Sequence, residues 1–240
     1  MSNEAFNDSK RSLALSRGWF CSHRRWEFSC LRSLKNFKNS SIRLIIGTTS
    51  DEYRLWSEFE NYYLNLDKEN FYKRLAKIFK KDAVKEIANI YLGDLDDYQQ
   101  ENKYKHALSN LMTDWTFGMH ALDLLEQHKD KSYGYFFNEP SPLLDGKLGA
   151  YHASELPYVF GSANKKIFRD FCSKNREDIS NFFQFSWSQF AKTGSPSSCL
   201  MDWEVYEDNS SITYINSVPK IQTFKNKHRI KLLNESKICF

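Results

Sequence analysis

Two short stretches of this chain hold the residue types that acid–base chemistry requires. "GTTSDE" places Glu52 directly after a β-branched run, and "GKLGAYHASELPYVFG" places His152 in a glycine-flanked loop. A carboxylate that accepts the Nδ1–H of an imidazole fixes its tautomer and stabilises the imidazolium formed when the ring takes a proton. Each loop follows a segment that reads as a strand, and open α/β sheets carry their reactive groups at such strand ends. Spacing alone leaves other roles open. A loop histidine is often a surface or hydrogen-bonded structural residue, and an Asp-Glu pair after a strand often caps a helix.

The elements that must position these residues are legible in the hydrophobic patterning. "IRLIIGTT" (42–49) reads as a short buried parallel strand stopped at Gly47. "ENFYKRLAKIFKKDAVKEIANIYL" (69–92) carries Phe71, Leu75, Ile78 and Phe79 on one helical face, continued by Val84, Ile87, Ile90 and Tyr91. A second helical region runs from about Gln100 to Gln127, with a break expected near Gly118. "SYGYFF" (132–137) is strand-like and precedes the loop-forming "NEPSPLLDGKLG". "REDISNFFQFSWSQFAKTGSP" (176–196) is the clearest helix, begun by Arg176–Asp178 and stopped by Gly194 and Pro196. "SITYI" (211–215) reads as a terminal strand. Strands separated by long helices imply an α/β protein with a mostly parallel sheet.

Composition narrows the field further. A chain of 240 residues is one domain by length, with 41% hydrophobic and 27% charged residues, and its 16% aromatic share favours a bulky interior or cleft. The net charge of +4 is too small to imply a nucleic-acid partner, and none is expected. The excess is local: residues 10–38 carry eight Lys and Arg side chains against the single acid Glu27, interleaved with Trp19, Phe20, Trp26, Phe28 and Phe37. Such a segment can bind single strands or an anionic surface, but the preferred reading is a poorly ordered leader whose charges are simply solvated. The five cysteines show no CxxC pair and no metal spacing, so neither a metal nor a cofactor is expected. No signal-peptide-like segment and no window long enough to span a membrane is found, which makes a reduced, cytoplasmic setting the default expectation.

Several motifs together resemble the type-B carboxylesterase/cholinesterase family. "IIGTTSDE" resembles its acid-bearing segment and "GAYHASELPYVFG" its histidine segment. "TDWTFGMHALDLLEQH" (113–128), "YGYFF", "FSWSQFAKTGSPS" (185–197) with Trp203, and "TYINSVPKI" (213–221) follow in the family's order. The similarity covers about residues 42–225, leaving 1–41 as a leader unlike the family and 226–240 as a basic tail. It implies the C-terminal portion of an α/β-hydrolase fold, with Glu52 as the triad acid and His152 as the triad base, in the chain order known for that fold. Glu155 is expected to be a supporting group. Tyr53 stands where the family usually has glycine, and a side chain at that turn could crowd the carboxylate.

The family's nucleophile sits on a G-x-S-x-G elbow, a turn too tight for flanking side chains. That pattern occurs nowhere in these 240 residues, and neither does the glycine-rich oxyanion loop. Ser50 and Ser154 lie beside the triad positions but lack the elbow. The expectation is therefore a carboxylesterase-like chain inactive alone, whose partner would be a complementing N-terminal esterase polypeptide and whose substrate, once complemented, would be a small-molecule ester. Two alternatives stand: a non-catalytic, cholinesterase-like binding protein, or the product of a disrupted reading frame whose sheet would expose a raw strand edge.

Overall fold

The computed structural model describes residues 41–96 and 98–238, and the basic, aromatic-rich leader lies outside them but for Ser41. The unit from Arg43 onward contains a four-stranded sheet in the order β1-β2-β3-β4. These strands are β1 (Leu44–Thr49), β2 (Ser132–Phe137), β3 (Ser211–Ile215) and β4 (Lys220–Thr223). The first three run parallel, and β4 returns antiparallel to β3 through a short turn. This is the mostly parallel sheet that the alternation of strands and helices predicts.

Parallel neighbours need long crossovers, and the helices supply them. Between β1 and β2 lie α1 (Arg54–Phe59), α2 (Lys68–Leu75), α3 (Val84–Gly93), α4 (Lys103–Thr113) and α5 (Met119–Gln127). Between β2 and β3 lie the short α6 (Leu156–Val159) and the long α7 (Arg176–Thr193). A last helix, α8 (Lys227–Ser236), follows β4.

Side chains alternate across the strands, so each face of the sheet has its own core. Phe137 and Ile215 face the side covered by α7, where they pack with Tyr158, Phe182, Phe183 and Trp203. Phe136 and Tyr214 face the opposite side, with Leu122 and Leu125 of α5 and Ile230 of α8. A third cluster joins α2, α3 and α4 through Phe71, Leu75, Ile87, Leu108 and Leu111, and is closed by Leu233 of α8.

Three expectations are corrected. Gly47 does not stop β1: it sits within the strand, paired with Tyr135, and a Cβ there would lie 2.1 Å from the Tyr135 carbonyl oxygen. The glycine is a point of close approach, not a terminator. Leu44 to Gly47 are only partly buried, because among the described residues β1 pairs on one side alone, with β2. The helical pattern over 69–92 is two helices. The segment between them leaves helical geometry to bond the end of the chain, with Lys80 N–H donating to the Ser236 carbonyl (2.8 Å) and Ile238 N–H to the Ile78 carbonyl (3.0 Å). Finally, the break near Gly118 is not a break: Asp114–Gly118 form one π-helical turn that joins α4 to α5 without interruption. Such turns often accompany functional sites.

Candidate active site

β1 ends at Thr49, and the chain turns through Ser50–Tyr53 before entering α1. Neither Asp51 nor Glu52 caps that helix; its N-cap is Tyr53, with no side-chain cap bond. Glu52 is instead turned inward and is 6% exposed. Its Oε1 accepts the Thr49 N–H at 2.9 Å, which anchors the carboxylate to the strand end. Its Oε2 lies 2.6 Å from Nδ1 of His152.

His152 comes from the loop after β2. The chain leaves the strand with Asn138 N–H donating to the Ile215 carbonyl, runs out through Pro142–Gly146, and folds back so that Ser141 N–H donates to the Gly149 carbonyl. Facing a carboxylate, Nδ1 carries the proton and donates it to Glu52, which leaves the Nε2 lone pair as the ring's acceptor. The hydrogen bond to Glu52 raises the imidazole pKa above its ordinary value, against the opposing effect of burial. The His152 side chain keeps 42% of its surface exposed, so the ring is held at one edge and open elsewhere.

Two aromatic rings flank the imidazole. Trp56 of α1 lies 5.1 Å from it, centroid to centroid, and Phe117 of the π-helical turn lies 5.2 Å away. These two rings stack on each other at 6.3 Å. Neither was singled out in the sequence. Trp56 is one turn beyond Glu52 and could have been suspected from that spacing, whereas Phe117 is placed by a helical irregularity with no local signature. Asp114 opens that turn: it is buried and accepts from Tyr91 Oη (2.8 Å) and Arg229 Nε (2.5 Å). Burial pushes its carboxyl pKa up, with the Arg229 charge opposing.

Glu155 stands at the start of α6, close enough for its charge to act on His152 and Tyr135. Burial raises its pKa, and the charge of Glu52 adds to the effect. Tyr53 does not crowd the carboxylate. With φ of −81° its backbone tolerates a side chain, and its ring turns away to pack on Trp56 and Tyr63. The hydroxyl of Ser50 donates to Asp51 Oδ2 at 2.6 Å, and that of Ser154 is buried with no hydrogen-bond partner among the described residues. No group of three His, Cys, Asp or Glu side chains among the described residues is arranged to hold a metal ion, and no helix among them is long and apolar enough to cross a membrane.

The sequence profile of the group described as "Carboxylesterase family" matches residues 28–233, beyond both limits of the 42–225 resemblance. Para-nitrobenzyl esterase of Bacillus subtilis (strain 168) is 27% identical over 181 residues, covering 73% of this chain and 34% of that protein. Bile salt-activated lipase of Homo sapiens is 27% identical over 214 residues, covering 80% of this chain and 28% of the lipase. The crystal structure of a carboxylesterase from Geobacillus stearothermophilus superposes with a TM-score of 0.69 at 21% identity, over 84% of this chain and 42% of that one. The chain thus spans about a third of the length of the curated relatives it matches, and the fold it shares with the solved structure is a partial α/β-hydrolase.

Proposed function

Because the chain belongs to the carboxylesterase family, we propose that it carries the acid–base half of a serine-esterase mechanism. Glu52 holds the imidazole and steadies its positive charge, and His152 is the general base. In the full reaction Nε2 takes the proton of an attacking hydroxyl as its oxygen bonds the ester carbonyl carbon. The ring then gives that proton to the departing alkoxide, and a water molecule, deprotonated in the same way, releases the acid from the acyl-enzyme.

One observation carries this reading: the 2.6 Å contact between His152 Nδ1 and a carboxylate already pinned to the strand end by its other oxygen. The relatives are named for esters or lipids, which supports a carboxylic ester as the substrate class. With no G-x-S-x-G among the 240 residues, the reading assigns the attacking hydroxyl and the oxyanion donors to residues outside these 240. The chain alone is then inactive. The test is hydrolysis of p-nitrophenyl acetate by the purified chain beside a His152→Ala control. Equal rates are expected, and a rate that falls with the substitution would overturn the assignment of the nucleophile to residues outside these 240.

A further inference from the structure

The residue next to the acid does separate work. The Asp51 backbone N–H donates to the Ala150 carbonyl at 3.0 Å, and the Ala150 N–H donates back to Asp51 Oδ2, also at 3.0 Å. Both backbone polar groups of Ala150 are thus held by one residue, 99 positions away in sequence and two residues short of His152. The Asp51 carboxylate is itself immobilised. Oδ2 also accepts the Ser50 hydroxyl at 2.6 Å, and Oδ1 pairs with Arg54 at 2.6 Å, with the two side chains only 16% and 10% exposed. Arg54 in turn reaches Asn110 Oδ1 of α4 at 3.4 Å.

The partner loop is shaped to admit this carboxylate. Gly149 has φ of +58°, and a Cβ there would lie 2.4 Å from Asp51 Oδ2. Only glycine both adopts that backbone conformation and leaves room for the carboxylate.

We propose that Asp51 is a positioning residue: anchored by Arg54, it clamps the histidine loop at Ala150 through the gap left by Gly149, and so sets the distance at which His152 meets Glu52. Charge-assisted hydrogen bonds are the stiff ones, and a catalytic pair tolerates only about 0.5 Å of displacement. An anchor two residues from the imidazole on one loop and one residue from the carboxylate on the other is what such tolerance demands. The adjacent acids then divide the task, Glu52 binding the ring and Asp51 binding the backbone that carries it. This inference rests on the reading of Glu52 and His152 as an acid–base pair.

The test uses the full chain, isotopically labelled, and follows the Nδ1 proton of His152 by NMR, assigned by its loss in His152→Ala. A downfield, slowly exchanging resonance is expected, and Glu52→Gln should abolish it. Asp51→Asn keeps the shape of the anchor but surrenders its charge to Arg54. Gly149→Ala keeps the charge but pushes the carboxylate away. Both should speed exchange of the His152 proton at least tenfold while leaving the circular dichroism unchanged, and agreement between them identifies position rather than charge as the cause. A variant that fails to fold is replaced by Arg54→Gln, which loosens the anchor from outside the loop. If these substitutions leave the exchange within twofold of the parent while Glu52→Gln abolishes the resonance, the clamp is refuted and the acid–base pair survives. If Glu52→Gln leaves the resonance in place, the pair itself is refuted and the clamp with it.

Discussion

His152 Nδ1 and Glu52 Oε2 stand 2.6 Å apart although 100 residues of chain separate them, and the second oxygen of Glu52 is bonded to the backbone of the strand that delivers it. The imidazole is therefore oriented by a carboxylate that cannot easily swing away. A histidine merely packed at a surface has no need of such an arrangement.

The pair makes stability depend on pH in a definite direction. Hydrogen bonding to Glu52 raises the folded-state pKa of His152 above its ordinary 6.5, so the native protein binds the proton more tightly than the unfolded chain. The resulting stabilisation is complete below 6.5 and disappears as pH climbs through the raised folded value. The Tm difference between the parent and Glu52→Gln should accordingly be widest on the acid side of that window and narrow above it. Thermal unfolding monitored across the pH range checks this, and a gap that widens with rising pH would contradict the hydrogen-bonded pair.

Arg229 is the sole cation bonded to Asp114 among the described residues, and the Asp114 side chain is only 3% exposed. Arg229→Met strips that carboxylate of its counter-charge and should cost about 3–5 kcal/mol. Replacing both partners, Arg229→Met with Asp114→Leu, should recover part of the loss, since no buried charge then remains. Urea unfolding of the single and double variants measures the coupling.

Gly47→Ala introduces a Cβ 2.1 Å from the Tyr135 carbonyl oxygen, a backbone atom that cannot rotate aside. Either the β1–β2 register or the local backbone must give way. The cost should reach about 3 kcal/mol, the upper end for overpacking. Denaturant midpoints report it, and a change under about 0.5 kcal/mol would mean that β1 is not docked on β2 as described.

Leu233 of α8 is fully buried in the cluster of α2, α3 and α4. Leu233→Ala should cost about 2–5 kcal/mol in the same measurement. A negligible effect would show that the basic end of the chain does not belong to the core.

How much of this was legible depended on whether the deciding interaction was local. β2 and β3 match their sequence expectation because "SYGYFF" and "SITYI" are short, aromatic or β-branched, and bounded by polar turns. Helix α7 was legible because its apolar face, its acidic first turn and the Gly194 that follows it all agree. The division of 69–92 was not legible, because Phe71, Leu75, Phe79, Val84, Ile87 and Tyr91 are all buried and the stripe stays continuous across the gap. What ends α2 is a pairing of Phe79 with Lys237, which no local window contains. Helix α8 went unread for a different reason. Its anchors Ile230 and Leu233 are set among Lys and Arg residues, and their burial comes from partners far back in the chain.

The sequence by itself determined the residue types that could move a proton, their order, and the strands on which they travel. Only the tertiary structure decided that they meet. Closing 100 residues of chain on one contact is entropically costly, and no local preference brings it about. It is achieved by the parallel register of β1 on β2, which sets the two strand ends side by side, and by the reciprocal bonds of Asp51 and Ala150 that draw one loop against the other.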